Sequence, residues 1–189
     1  MSTVIDDILD KIEALEKDLE REFEARRERF QYRLEKHRVR FEHDMVQRHR
    51  LLRKGLLGFW RDSQFLNFIT SPVIYALVVP LILLDLSLSF FQWACFPIYG
   101  IRKVTRGDYV VIDRHHLAYL NLVEKLNCVY CGYANGVIAY AREIASRTEQ
   151  RWCPIKHARR AKGVHARYYQ FDDYGDAENF RKRDHHRKG

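Results

Sequence analysis

The 189-residue chain is 47% hydrophobic and 31% charged, with a formal net charge of +8 and a pI near 9.4. These averages conceal segregation: one part is almost all charge and another almost none, which excludes an evenly mixed globule and describes an assembly of parts. The positive balance admits nucleic acid or an anionic membrane surface as partner. Residues 1 to 50 hold no apolar run of the length a secretory signal needs, so the first export-like segment is expected to be an internal anchor.

Residues 4 to about 54 lack Gly and Pro and are rich in Glu, Lys, Arg and Leu, which predicts one long helix ending at Gly55 and Gly58. Ile5, Ile8, Ile12, Leu15 and Leu19 alternate three and four apart. Phe23, Phe30, Leu34, His37, Phe41 and Met45 resume that seam after a stutter. The pattern reads as a coiled coil, pairing copies through residues 5–52. A single solvated helix held by i,i+4 charge pairs is the competing reading. The arm is acidic up to residue 25 and basic from Arg26 to Arg61: an antiparallel pair would match acid to base, whereas anchoring both copies in one membrane favours parallel pairing, with the basic halves near anionic headgroups.

From Phe65 to Ile101 the one charged residue is Asp85. The stretch exceeds the roughly 20 apolar residues of a spanning helix, and a lipid bilayer is the expected partner. Two topologies remain open: one span over about residues 73 to 98 with Asp85 near mid-depth, or a hairpin folding back near Pro80 to Ser89. Basic residues flank both ends, Arg48, Arg50, Arg53, Lys54 and Arg61 before, and Arg102, Lys103 and Arg106 after. Positive charge kept on one side favours the hairpin, with Trp60, Trp93 and Tyr99 as interfacial anchors. An intramembrane carboxylate such as Asp85 is a functional-site candidate, or in the hairpin simply the bend.

Beyond the apolar stretch, Tyr109 to Asp113 reads as strand-like and Leu117 to Leu126 as a helix. A cysteine knuckle comes next, then a break at Asn135-Gly136 and a second helix from Val137 to Trp152. Glu143 and Glu149 fall on that helix's polar face and read as solvated. From Arg159 onward basic, acidic and tyrosine residues mix without apolar periodicity, which predicts a tail that is disordered or ordered by a partner.

The chemistry concentrates in NCVYCGY and WCPIKH, giving Cys128, Cys131, Cys153 and His157 as candidate metal ligands. Three thiolates and one imidazole are a ligand set of tetrahedral zinc. A CxxC pair sets two sulfurs on one turn, and Gly132 lets the backbone turn beneath them. The 21 residues between the halves accommodate one helix. Zinc is the expected metal, with iron at the same ligands as the alternative, or an iron–sulfur cluster if Cys95 joins. A CxxC dithiol with Cys128 activated near Lys125 is a further reading, as are ordinary buried cysteines. His115 and His116 could orient a ligand, replace one or act as a base, or simply be surface residues. Arg106-Gly107-Asp108 is assigned no role.

CVYCGY resembles the first metal knuckle of rubredoxins and WCP the start of the second, with His157 one position later than their last cysteine. The resemblance implies a metal knuckle. CxxCGYANG with WCPIKHA is also similar to an uncharacterised family of bacterial membrane proteins, over about residues 71 to 160, which implies a membrane setting and no particular activity.

The expected architecture is therefore mainly α: a coiled-coil arm (1–55), a membrane anchor (56–103), a small cytoplasmic Cys/His domain (104–158) and a disordered basic tail (159–189). The expected function is a zinc-binding structural or assembly protein of the bacterial inner membrane, homo-oligomeric and open to a membrane-protein partner. A membrane redox protein is the runner-up and a nucleic-acid-binding zinc knuckle the third reading. No nucleophile–base pair, phosphate loop or paired glycosidase carboxylates are evident, which leaves hydrolase and transferase readings without a foothold.

Overall fold

The computed structural model describes residues 2–30, 32–35, 38–41, 43–53, 55 and 65–188. The chain is mainly helical and divides into two units, residues 1–63 with 113–126, and residues 64–112 with 127–189. The expectations placed on His37, Lys54, Gly58, Trp60 and Arg61 lie outside the described residues.

The first unit begins with α1 (Ser2–Arg29), a helix without Gly or Pro. Its solvated sides carry i,i+4 pairs such as Glu13 with Lys17 (2.8 Å) and Glu22 with Arg26 (3.6 Å). Ile8, Ile12, Leu15, Leu19 and Phe23 of the expected seam are all exposed. The helix does not continue to residue 54. Strands β1 (Tyr32–Glu35) and β2 (Arg38–Phe41) form an antiparallel hairpin with Tyr32 opposite Phe41 and Leu34 opposite Val39, and α2 (His43–Leu51) comes after them. The local sequence YRLE and RVRF alternates apolar and charged residues with period two, the strand period, and that outweighs the absence of Gly or Pro. Also in this unit, His115 and His116 occupy the 3-10 turn Arg114–His116, their rings 3.9 Å apart.

In the second unit α3 (Phe65–Ala76) and α4 (Val78–Tyr99) meet at Leu77. Helix α4 runs unbroken through Pro80 to Ser89, where the hairpin was expected. Pro80 stands in its first turn, where a missing N–H costs nothing. Residues Ile69–Tyr99 are 31 in number, long and apolar enough to cross a membrane, and only 6% of the apolar window is buried in the chain. Gly100 ends α4 in the left-handed conformation (φ 66°), its N–H capping the carbonyls of Phe96 and Pro97.

Helix α5 (Leu122–Trp152) is one continuous 31-residue helix. It replaces the expected helix, knuckle and second helix. Its start was written in the sequence as a capping box. Asn121 Oδ1 accepts from the Glu124 N–H (3.0 Å), and Glu124 Oε2 accepts from the Asn121 N–H (2.8 Å).

Within the second unit α4 and α5 run in the same direction. Tyr75 meets Asn127 and Tyr130, Asp85 meets Tyr133, Gln92 meets Tyr140, and Tyr99 meets Trp152. Two parallel neighbours need a return connection, and residues 101–112 supply it as a leg interrupted by a 3-10 turn at Arg106–Asp108. It runs back past Gln92 at Val104, past Asp85 at Arg106, and over α5 at Tyr109 to Val111. The expected strand at Tyr109–Asp113 does not form: Tyr109 and Asp113 both have right-handed helical backbone angles, and the Val110 N–H donates to the Arg106 carbonyl (3.0 Å). The core forms where these three pieces meet, from Phe96, Val104, Tyr140 and Ile144, with Leu88, Phe91, Ile101 and Tyr109 packed against it.

The segment after residue 159, expected to be disordered, folds back onto α5. Phe171 and Asp172 are buried, a parallel bridge joins Ile155 to Asp172, and α6 (Ala177–Lys188) closes the chain. Polar clamps hold this fold and explain why apolar periodicity did not reveal it. Arg167 grips Glu143 with a two-pronged contact (2.8 Å each), and Arg147 adds a third bond (2.7 Å). His165 meets Glu149 at 2.9 Å. Neither glutamate is merely solvated.

Burial pushes the Glu143 carboxyl up, but hydrogen bonds from Arg167 and Arg147 outweigh it and hold the pKa below the ordinary 4.5. A depressed carboxyl stabilises the fold above its unfolded pKa, and that contribution is lost as pH falls through the lower folded value. Acidification below about 4.5 is therefore expected to loosen residues 165–172 first. Glu143→Gln should produce the same loosening at neutral pH, read as faster amide exchange there while the α4–α5 core stays protected.

Candidate functional site

The four expected metal ligands are divided between the two ends of α5. Cys128 and Cys131 stand on its second and third turns, the first partly buried and the second exposed. Cys153 directly succeeds its last residue and extends the helical bonding by donating to the Glu149 carbonyl (2.7 Å). At 1.5 Å per residue the axial distance from Cys128 to Cys153 is about 37 Å, and from Cys131 about 33 Å. Sulfurs sharing one zinc stand about 4 Å apart, each about 2.3 Å from the ion. One ion cannot bridge the two halves within a chain, and the same holds for iron at these ligands. His157 is exposed beside Tyr168, their rings stacked at 5.9 Å, and its N–H donates to the Tyr168 hydroxyl (2.6 Å). Cys95 lies partly buried in α4. Among the described residues no group of three or more His, Cys, Asp or Glu side chains is placed to hold a metal ion.

The glycines that read as knuckle and turn have another task. Gly132 and Gly136 lie one turn apart on the α5 face that receives the return leg, and both are buried. A Cβ at Gly136 would sit 2.8 Å from both the Tyr109 carbonyl oxygen and Val110 Cα; at Gly132 it would sit 3.2 Å from the Val111 oxygen. The small-xxx-small pair is a flat bed for backbone, the same device that lets helices approach closely in membranes.

The polar chemistry of this unit gathers on the inner face of α4, at Asp85, Ser89 and Gln92. Asp85 is buried and accepts from Arg106 Nε (2.9 Å) and Nη2 (2.7 Å) and from the Tyr133 hydroxyl (3.0 Å). Gln92 reads the return leg as a strand would. Its Oε1 accepts from the Val104 N–H (2.9 Å), and its Nε2 donates to the Val104 carbonyl (3.3 Å) and to the Tyr140 hydroxyl. Ser89 and Tyr140 share a further contact at 3.4 Å. Sequence reasoning found Asp85 but not Gln92, although an amide in a long apolar run is itself a signal that something polar faces it.

What these groups do is join elements. Asp85 is fully engaged by a guanidinium and a phenol, as a carboxylate in an apolar helix must be, and Gln92 neutralises an otherwise orphaned backbone pair. Cys153→Ser removes an exposed thiol at a helix end and is expected to change stability by less than about 0.5 kcal/mol. Unfolding monitored by circular dichroism checks this; collapse of the fold would restore a structural role for that thiol.

No protein-family model, no curated protein and no solved structure matches this chain.

Proposed function

We propose that the chain is a membrane-anchored scaffold or assembly protein, held in lipid by α3 and α4 and self-associating through α1. The observation that carries this reading is the bare outer face of α4. Val79, Leu83, Leu86, Phe90 and Trp93 recur three and four apart, and each is more than half exposed. The opposite face is already occupied by α5 and the return leg. Transferring those five side chains to hydrocarbon is worth on the order of 10 kcal/mol. An aqueous exposure of that size is what an interaction surface presents. The basic residues after α4, Arg102 and Lys103 foremost, favour the cytoplasmic side of the cell's inner membrane for the end of α4 at Gly100.

The exposed seam of α1 supports a second copy as its partner, because a solitary helix gains nothing from five apolar residues in register. The two carboxylates engaged by arginines and the amide bound to backbone support structural rather than chemical roles for this unit's buried polar groups.

The test is extraction. Membranes holding the full chain are washed with alkaline carbonate, and the chain is expected to stay in the pellet. Leu86→Lys with Phe90→Lys should release it with its helical content intact. Retention of that double variant, or release of the unaltered chain, would remove the anchor from the reading. Light scattering of the detergent-solubilised chain then reports self-association: Ile12→Asp with Leu19→Asp should give a monomer, and an unchanged mass would remove the α1 interface.

A further inference from the structure

The carboxyl end of α4, the last turns of α5 and the turn Ala166–Gln170 surround an open concavity of about 390 Å³. Arg102, Arg147, Arg151 and Arg167 line it together with Gln150. Among the described residues, the lining contains four guanidinium groups and no carboxylate. Glu143 balances part of that charge through Arg147 and Arg167, and a positive surplus remains. Like charges crowded this way destabilise the fold unless something they attract is meant to enter.

Three of the four groups are fixed from behind. Arg147 Nη1 donates to the Arg102 carbonyl (2.6 Å) and the Lys103 carbonyl (3.1 Å), and its Nε to Glu143. Arg151 Nε donates to the Tyr99 carbonyl (3.2 Å), and Arg167 is forked onto Glu143. A guanidinium has five N–H donors, and the bonds of Arg147 to Glu143 and the return leg, like those of Arg167 to Glu143 and Ser146 (2.9 Å), use three of the five. Arg102 stands exposed at the rim. A set of prepositioned forks is the arrangement that binds a phosphate with little ordering cost.

We propose that this concavity is a binding site for a phosphate-class anion, either the headgroup of an acidic phospholipid or a free phosphate. The headgroup is favoured by what flanks the site. Tyr99 and Trp152 pair edge to face at 5.1 Å where the apolar helix ends, and Arg151 lies 5.4 Å over the Trp152 ring. Aromatic residues beside arginine at the end of an apolar helix mark the headgroup level of a bilayer. That choice of source rests on the membrane reading above; the anion site itself does not.

The experiment titrates the full chain in uncharged maltoside micelles with inorganic phosphate, dioctanoyl phosphatidic acid and dioctanoyl phosphatidylcholine, by calorimetry. Saturable binding of phosphatidic acid, of phosphate, or of both is expected. Phosphatidic acid alone identifies a lipid site, and equal binding of inorganic phosphate identifies a free anion. Arg102→Gln with Arg151→Gln should weaken binding by about ten-fold or more, while Arg160→Gln, in a separate basic loop, leaves it unchanged. If the double variant unfolds, the exposed Arg102→Gln alone should still weaken binding measurably. No saturable binding of either probe overturns the proposal. So does an equal loss in Arg160→Gln, or phosphatidylcholine binding as tight as phosphatidic acid, which would report acyl chains alone. Micellar titration is independent of carbonate extraction, so a chain that stays in membranes without binding the anion overturns this site and leaves the anchor standing.

Discussion

Gly136→Ala is expected to destabilise the α4–α5 unit by about 2 kcal/mol, although alanine for glycine inside a helix ordinarily stabilises by about 1 kcal/mol. The added Cβ would lie 2.8 Å from the Tyr109 oxygen and from Val110 Cα, two backbone atoms that cannot rotate away. Overpacking against fixed atoms costs about 1 to 3 kcal/mol, and the upper end applies where nothing yields. At Gly132 the neighbour is a single carbonyl oxygen at 3.2 Å, so a small shift relieves it. Gly132→Ala should therefore fall within about 0.5 kcal/mol of the unaltered chain, the strain and the propensity gain offsetting each other. Larger side chains at 136, such as leucine, should prevent the return leg from docking. Denaturant unfolding in micelles measures all three. Stabilisation by alanine at both positions would mean that no backbone lies on this face of α5.

The contrast between those glycines shows what was legible in the sequence and what was not. The apolar stretch was plain, because composition alone announces 37 residues, 65–101, with one charge, and the mainly helical class came with the rest. The continuity of α5 was hidden by CGYANG, in which glycine and Asn-Gly carry the local signal of a turn. A glycine that ends a helix and a glycine that seats a neighbouring backbone are the same residue, and only the three-dimensional partner distinguishes them. The cysteines were misread for a related reason. CxxC followed by CxxxH has the spacing of a knuckle only if the chain between them turns back, and a capped helix about 45 Å long does not. A signal against the turn was also present, in the Asn121 to Glu124 capping box, but it is weaker than four ligands. The hairpin after α1 and the folded segment after residue 159 rest respectively on period-two alternation in eight residues and on clamps between residues about 20 apart. Helix propensity outweighs the former on paper, and no periodicity can reveal the latter.

Gln92→Leu is expected to cost about 3 to 4 kcal/mol, more than most single substitutions in this unit. The change conserves volume closely and adds apolar character to an already apolar helix, so transfer energetics alone would give stabilisation. The opposite arises from what Gln92 faces. With the amide gone, the Val104 N–H and carbonyl lose their partner and the Tyr140 hydroxyl keeps only Ser89, in a place where Val104 is 5% and Tyr140 0% exposed. Each orphaned buried group costs about 1 to 3 kcal/mol, and water has no ready route to replace the amide. Tyr140→Phe should cost less, about 1 kcal/mol, because it leaves one N–H of the Gln92 amide without its acceptor while both bonds to Val104 remain. On the Gln92→Leu background the same Tyr140→Phe change should be nearly neutral, since its amide partner has already been lost; the coupling of the pair would appear as a departure from additivity of about 1 kcal/mol. Thermal unfolding of the four forms supplies the cycle. If Gln92→Leu alone proves neutral, Val104 reaches other partners, and the return leg is not held by α4 in the way that gives the unit its core.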